Sequence, residues 1–298
     1  MAENYIVSAR KYRPDSFQTI VGQGAMVATL RTAVRSGKLS HAYLFCGPRG
    51  VGKTTAARVL AKTINCMNLS PEGEACNACE SCRAFNEQRS FNIFELDAAS
   101  NNSVEDIRQL TEQVAMPPAL GRYKVYIIDE VHMLSVTAFN AFLKTLEEPP
   151  SYAIFILATT EKHKILPTIL SRCQIYDFKR ITVGDITHHL QYVASSEGIE
   201  ADEAALGLIA EKADGGMRDA LSMFDRIASF AGGHITYEHA LESLNVLDYT
   251  YFIRTFELLL QGDHCGILLL LDELLAKGFE GQTILSGLAS FVRDLLVA

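Results

Sequence analysis

A doubly wound α/β layer followed by an all-α half is the fold class that this sequence predicts, and three observations carry it. Over residues 1–180, short apolar runs rich in β-branched and aromatic residues alternate with stretches of helical periodicity. The first of those runs ends at a glycine-rich loop that opens a helix. After about residue 180 the strand signal disappears and only helical spacing remains.

His41–Cys46 (HAYLFC) reads as the first strand, and Thr54–Ile64 then carries apolar residues at helical spacing. Phe91–Leu96 (FNIFEL), Lys124–Ile128 (KVYII) and Ala153–Ala158 (AIFILA) read as further strands. The last two are continuously apolar, as strands covered on both faces of a parallel sheet are. Helices are predicted between them over 104–115 and 135–147. In the second half 185–197, 202–212, 216–230, 236–244, 248–260, 263–276 and 280–296 all have helical periodicity. Gly215-Gly216 and Gly232-Gly233 mark helix boundaries, while Gly262-Asp263 and Lys277-Gly278 read as turns between antiparallel helices. Boundaries near 180 and 242 give an α/β domain (1–180), a helical domain (181–241) and a further helical domain (242–298). The chain ends inside an apolar helix (SFVRDLLVA) without a cap, which suggests a longer protein.

With 298 residues, 48% of them apolar, the chain can bury a substantial core. Its longest apolar stretches, such as Ile267–Leu271, fall far short of the ~18 residues of a membrane span. No membrane partner is expected. The start, Met-Ala-Glu-Asn-Tyr, has no basic and then apolar pattern of a secretory signal, so a reducing cytoplasm is the expected compartment. Seven cysteines there point to metal or burial before disulfides. The formal charge of −8 is unevenly spread: residues 1–180 carry +4 and residues 181–298 carry −12. The front of the chain is therefore able to meet phosphates although the whole is acidic.

Residues 47–54 read Gly47-Pro48-Arg49-Gly50-Val51-Gly52-Lys53-Thr54, which is G-x-x-x-x-G-K-[ST] between a strand and a helix. Glycines let the backbone curl so that its N–H groups face β-phosphate oxygens, and the helix N-terminus adds positive potential. Lys53 reaches β/γ oxygens, Thr54 offers its hydroxyl to Mg²⁺, and Thr55 follows beside the nucleotide. Val125–Glu130 (VYIIDE) is a buried strand ending in two carboxylates, and a neighbouring strand would bring Asp129 alongside the Mg²⁺. Asp129 then holds the metal through water and Glu130 polarises the attacking water. The pair predicts an Mg-ATP hydrolase.

Cys66, Cys76, Cys79 and Cys82 occur as C-x9-C-x2-C-x2-C directly after the P-loop helix. Three thiolates on one tight loop and a fourth from the helix end suit tetrahedral Zn²⁺. An iron–sulfur cluster and redox disulfides are the alternatives at this point. Cys46, Cys173 and Cys265 lie in apolar or strand contexts and are expected to be buried.

With these motifs in place, the sequence resembles the AAA+ ATPases, and within them the bacterial clamp-loader gamma/tau family. The resemblance covers essentially the whole chain. Its marks are Arg10-Lys11-Tyr12-Arg13-Pro14 with Phe17 and Val21-Gly22-Gln23, then HAYLF and the P-loop, then Glu95-Leu96-Asp97-Ala98-Ala99-Ser100. Asp129-Glu130-Val131-His132-Met133-Leu134, Leu143–Pro150 (LKTLEEPP), Ser171-Arg172-Cys173 and Arg218-Asp219-Ala220 continue the series. The resemblance implies an AAA+ P-loop NTPase core with a zinc module at 66–82, a helical lid and the start of a helical collar. It also implies an ATP-driven motor that opens a sliding clamp and places it on primer-template DNA, inside a hetero-pentamer of sister subunits. The family is grouped with the DNA-directed DNA polymerases as a holoenzyme component, and nothing in this sequence reads as a nucleotidyl-transfer site.

Residue roles follow from the same resemblance. Tyr12, Pro14, Val21 and Gly22 are implied around the adenine, with Ala9, Arg13 and Met217 beside the nucleotide. Thr159 matches sensor 1, Arg218 matches the sensor 2 arginine, and Arg172 matches the arginine finger that acts on ATP bound by a neighbouring subunit. The four cysteines are implied to hold structural zinc.

His132 is expected to be structural, and His188-His189 to be solvated on a polar helix. Ser100-Asn101-Asn102-Ser103 is a candidate DNA contact, through hydroxyl and amide donors and backbone N–H groups, with Asn101 and Asn102 equally suited to cap the helix behind them. Two other readings compete. A structural clamp-loader subunit would donate only its arginine finger, but Lys53, Thr54, Asp129 and Glu130 are all intact. Another AAA+ DNA-processing motor is disfavoured by the cysteine insertion and the SRC motif.

Overall fold

The computed structural model describes residues 6–118 and 121–297. The Met1–Tyr5 start and Ala298, on which the readings of the two ends rest, lie outside the described residues. The chain divides into two compact units: one runs to Val193 and takes in Ala210–Ser222, and the other joins Ala194–Ile209 to the residues from Met223 onward.

The first unit is built on a parallel five-stranded sheet of order β2-β3-β4-β1-β5. Its strands are β1 (Ala42–Cys46), β2 (Ile93–Asp97), β3 (Lys124–Asp129), β4 (Ala153–Thr159) and β5 (Gln174–Asp177). The three apolar runs β1, β3 and β4 are the middle of the sheet and are buried along nearly their whole length. Alternate side chains serve two cores. Tyr43, Phe45, Val125, Ile127, Ile154 and Ile156 pack with residues of the Gly24–Ser36 and Lys53–Ile64 helices. Leu44, Tyr126, Ile128, Phe155 and Leu157 pack with residues of the Val104–Val114 and Val136–Glu147 helices. Each such fully buried aliphatic or aromatic side chain is worth about 1.5–3 kcal/mol, which is why the continuous apolar runs end up here.

Three features differ from expectation. β5 carries one buried residue in four, Tyr176, so it offers no apolar run to read. β2 begins at Ile93, and Phe91, expected inside the strand, is 80% exposed. β4 lies between β1 and β3, so the strand bearing Asp129 is two places from the P-loop strand rather than beside it. The intervening strand ends at Thr159, which pairs with Cys46 and accepts the Gly47 N–H on its carbonyl at 3.2 Å.

Helices Val183–Glu197, Glu203–Lys212 and Met217–Ala231 continue the chain. In the second unit β6 (Glu200–Ala201) and β7 (His234–Ile235) form a parallel pair where only helix was expected, because two residues are too few to set a hydrophobic pattern. Tyr237–Leu244, Tyr249–Gln261, His264–Ala276 and Gly281–Val297 follow as helices. Leu247, Phe252, Leu274, Ile284 and Phe291 are their core. Gly262, at φ 70°, ends one helix in the left-handed conformation and Asp263 caps the next, accepting the Gly266 N–H at 2.9 Å.

Candidate nucleotide and metal sites

The loop after β1 turns on Gly47, Gly50 and Gly52 at φ 150°, 78° and 99°. A Cβ on Gly47 would lie 2.6 Å from the Phe178 carbonyl oxygen, so this position accepts glycine alone. Lys53 opens the following helix, and its buried ammonium donates to the carbonyls of Gly47 (2.8 Å) and Pro48 (2.7 Å). Burial holds its pKa below the usual lysine range, opposed by the charges of Glu130 and Asp129. One residue on, the Thr54 hydroxyl donates to Asp129 Oδ2 at 2.6 Å. This joins the P-loop to the end of β3 across the intervening strand.

Glu130 sits in the left-handed conformation at φ 47°, the sharp turn that ends β3. Its Oε2 accepts from the Thr160 N–H (3.3 Å) and hydroxyl (3.0 Å). His132 Nδ1 is 3.0 Å from Thr159 Oγ1 and 3.4 Å from Glu130 Oε2, while Nε2 is 3.0 Å from Glu161 Oε2. The fully buried Thr159 hydroxyl also accepts the Glu161 N–H at 3.0 Å. His132 therefore holds the strand-end groups Thr159 and Glu130 in one network. Position after DE in the sequence was the sole hint of this.

A cavity of about 490 Å³ opens over the P-loop, Asp129 and Glu130, within the usual range for small-molecule sites. Ala9, Tyr12, Arg13, Pro14 and Val21 line it together with Arg49–Thr55, Asp129, Glu130, Met217 and Arg218. Arg13 Nε donates to Thr55 Oγ1 at 3.2 Å. Gly22 follows the lining residue Val21 with the Ile181 side chain against it. Gly47, Pro48 and Thr159 are not among the lining residues, and neither is Arg172. Arg172 donates instead to Glu147 Oε1 (2.6 Å) and the Thr168 carbonyl (2.6 Å). His189, expected to be solvated, is half-buried and lines the cavity, and burial and then the neighbouring His188 push its pKa below the ordinary histidine value.

The Cys66, Cys76, Cys79 and Cys82 sulfurs lie within 4.8 Å of one another. The Cys76 N–H donates to Cys66 Sγ and the Cys79 N–H to Cys76 Sγ, both at 3.3 Å. Such bonds favour thiolates, and a hydrogen bond from the Ala78 backbone pulls the Cys76 thiol down to about 6. Burial pushes the Cys82 and Cys66 thiols up. Four converging sulfur donors fit a tetrahedral metal such as Zn²⁺. Of the other cysteines Cys46 is buried, its thiol pushed up to about 11, and Cys173 is half-buried and pushed up to about 12. Cys265 is exposed, against expectation, because its helix turns that face outward.

The helix cap expected within 100–103 is also corrected. The cap of the Val104–Val114 helix is Ser103, not Asn101 or Asn102, and it forms a reciprocal capping box with Asp106. Ser100 and Asn101 donate their side chains to Asp97, and Glu105 and Asp106 occupy the first turn. Ser100, Asn101 and Ser103 thus spend their side-chain donors on Asp97 and Asp106, beside carboxylates in the helix's first turn.

Comparison with known proteins adds lineage to this geometry. Residues 22–182 match the family model described as DNA polymerase III, delta subunit, and residues 185–233 match the DNA polymerase III clamp loader subunit, ATPase lid domain. The chain is 45% identical over 99% of its length to DNA polymerase III subunit tau of Bacillus subtilis (strain 168), covering 52% of that protein. It is 41% identical to the Escherichia coli (strain K12) tau subunit over 95% of its length and 44% of the relative's. DNA polymerase III subunit gamma of Buchnera aphidicola is 37% identical, over 97% of this chain and 80% of that one. The chain thus spans about half the length of the tau subunits it matches. The Thermotoga maritima RuvB Holliday junction branch migration motor shares the fold at 21% identity and TM-score 0.60, over 83% of this chain and 79% of that one. With an AAA+-type α/β sheet, a matching lid segment and relatives along nearly all of its length, the chain belongs to the gamma/tau family of DNA polymerase III clamp-loader subunits.

Proposed function

We propose that this chain is the ATP-binding and ATP-hydrolysing motor portion of a bacterial clamp-loader subunit, which loads the sliding clamp onto primer-template DNA during replication. One observation carries the reading: the 2.6 Å bond between Thr54 and Asp129, at the edge of a cavity whose lining combines the P-loop with the 9–21 segment. A hydroxyl and a carboxylate in contact are the pair that holds Mg²⁺ in P-loop hydrolases, where the ion neutralises phosphate charge.

In this reading the adenine lies against Tyr12, Pro14, Val21 and Gly22, with Ala9, Arg13 and Met217 beside the nucleotide. Residues 47–55 take the phosphates, with Lys53 exchanging its carbonyl partners for β/γ oxygens. Glu130 polarises the attacking water and Thr159 orients it, both steadied by His132. Arg218 meets the γ-phosphate in the same chain. Arg172 serves ATP bound by a sister subunit, so hydrolysis waits on assembly of the hetero-pentamer. The four cysteines hold structural zinc. Residues 181–241 act as lid and 242–298 as part of an oligomerisation collar. The compartment is the cytoplasm, and the chain's role in the polymerase holoenzyme is to drive loading rather than nucleotidyl transfer. No helix among the described residues is long and apolar enough to cross a membrane.

The test is clamp loading onto primed DNA with the partner subunits supplied. Lys53→Ala should abolish nucleotide binding, and Glu130→Gln should leave binding but stop turnover. Full loading by both variants would leave a structural subunit as the better account.

A further inference from the structure

The cysteine module is bonded to segments that adjoin those lining the nucleotide cavity. Glu74, two residues before Cys76, is almost fully buried, and its Oε2 accepts the Phe17 N–H at 2.9 Å. Its other oxygen is 3.6 Å from Arg31 Nε, which itself donates to the Glu72 carbonyl at 3.1 Å. Phe17 lies three residues before Ile20, which lines the cavity with Val21, and Arg31 is on the helix that follows. Asn77, between Cys76 and Cys79, accepts a hydrogen bond from the buried Lys62 ammonium on Oδ1 at 2.6 Å. Lys62 lies on the helix that begins with Lys53 and Thr54. The same asparagine's amide is 3.5 Å from Asp15 Oδ2. Residues 67–79 contain no helix or strand; a turn in which Ser70 Oγ accepts the Glu74 N–H at 3.1 Å shapes the loop's middle, and the four sulfurs gather its ends.

We propose that this module is a brace for the nucleotide pocket, with Glu74 as its positioning residue, so that metal bound by the cysteines and nucleotide bound in the cavity raise each other's affinity. The inference rests on the cavity being the ATP site. Metal closes the loop, the closed loop presents Glu74 and Asn77, and these hold the 15–21 segment and the P-loop helix at the spacing the nucleotide needs. Loss of the metal leaves the P-loop intact but slackens the 15–21 segment and the far end of the P-loop helix. The module thereby makes nucleotide affinity depend on zinc supply.

The experiment measures binding of a fluorescent ATP analogue to the full chain, and separately the affinity for zinc by competition with a chromogenic chelator. Glu74→Gln should keep one zinc per chain and the native circular dichroism, yet weaken analogue binding about tenfold, the scale of a hydrogen bond to a charged group. Glu80→Gln, an exposed position on the same module, should change neither. In the unaltered chain, saturating nucleotide should raise zinc affinity by the factor that zinc raises nucleotide affinity, a readout that stands even should Glu74→Gln fail to fold. Equal analogue affinity with and without zinc in a folded chain would overturn the brace while leaving the ATP site standing. Absence of analogue binding with zinc present would overturn both.

Discussion

The Arg172 guanidinium donates a 2.6 Å hydrogen bond to Glu147 Oε1, so the side chain assigned to a neighbour's nucleotide is held by its own chain. Both partners are partly exposed, and such pairs are worth about 0.2–1 kcal/mol, a cost that docking against a phosphate readily exceeds. Arg172→Ala should leave analogue affinity of the isolated chain within about twofold. In a reconstituted complex it should abolish the hydrolysis stimulated by clamp and DNA. Glu147→Gln should keep stimulated turnover within about fivefold, the limit set by so weak a pair. Unchanged stimulated turnover in Arg172→Ala would remove the in-trans role.

Asp129→Asn keeps the shape of the Thr54 contact and removes the charge. Nucleotide binding in the presence of a metal chelator should then be unaltered, while the gain in affinity on adding Mg²⁺ disappears. Turnover should fall by about 10²–10³, the usual loss when one electrostatic group of a site is deleted. Titrations with and without Mg²⁺ check this directly.

His132→Ala removes the partner shared by Thr159 and Glu130. Turnover should fall about tenfold or more with analogue affinity unchanged, since the imidazole is absent from the cavity lining. His132→Asn, which retains one donor near Nδ1, should recover part of the loss. A parallel fall in affinity would mean that the histidine supports the pocket as a whole.

Burial lowers the His189 pKa in the folded chain. Between that lowered value and the ordinary ~6.5 the unfolded chain binds the proton and the native chain does not, so stability is lost as pH falls below about 6.5. His189→Gln should flatten this slope. Urea midpoints at pH 7.5 and 5.5 will show it, the wild type losing more than the variant on acidification.

What the sequence disclosed tracks how each element is buried. β1, β3 and β4 were legible because both their faces are covered, leaving unbroken apolar runs. β5 was not, with Tyr176 alone turned inward, and the Gly24–Ser36 helix buries just Val27, Leu30 and Val34, too sparse a stripe to announce itself. At the site, the P-loop and the Asp129-Glu130 pair declare themselves because local backbone geometry demands those residues in that order. The placement of β4 between β1 and β3 is a matter of strand order, which no local pattern records. His189 and Glu74 were missed for a related reason: each acts across long sequence separations, on a helix or loop with no motif of its own.

The same sheet order governs motion. The strands that end in Cys46, Asp129 and Thr159 are the three interior ones, hydrogen-bonded on both sides. Their amides should therefore exchange with solvent most slowly, on opening of the whole unit, and those of the edge strand at Gln174–Asp177 sooner. In the proposed turnover cycle this sheet would be a static floor, with side chains such as Lys53 free to exchange partners above it on much shorter timescales.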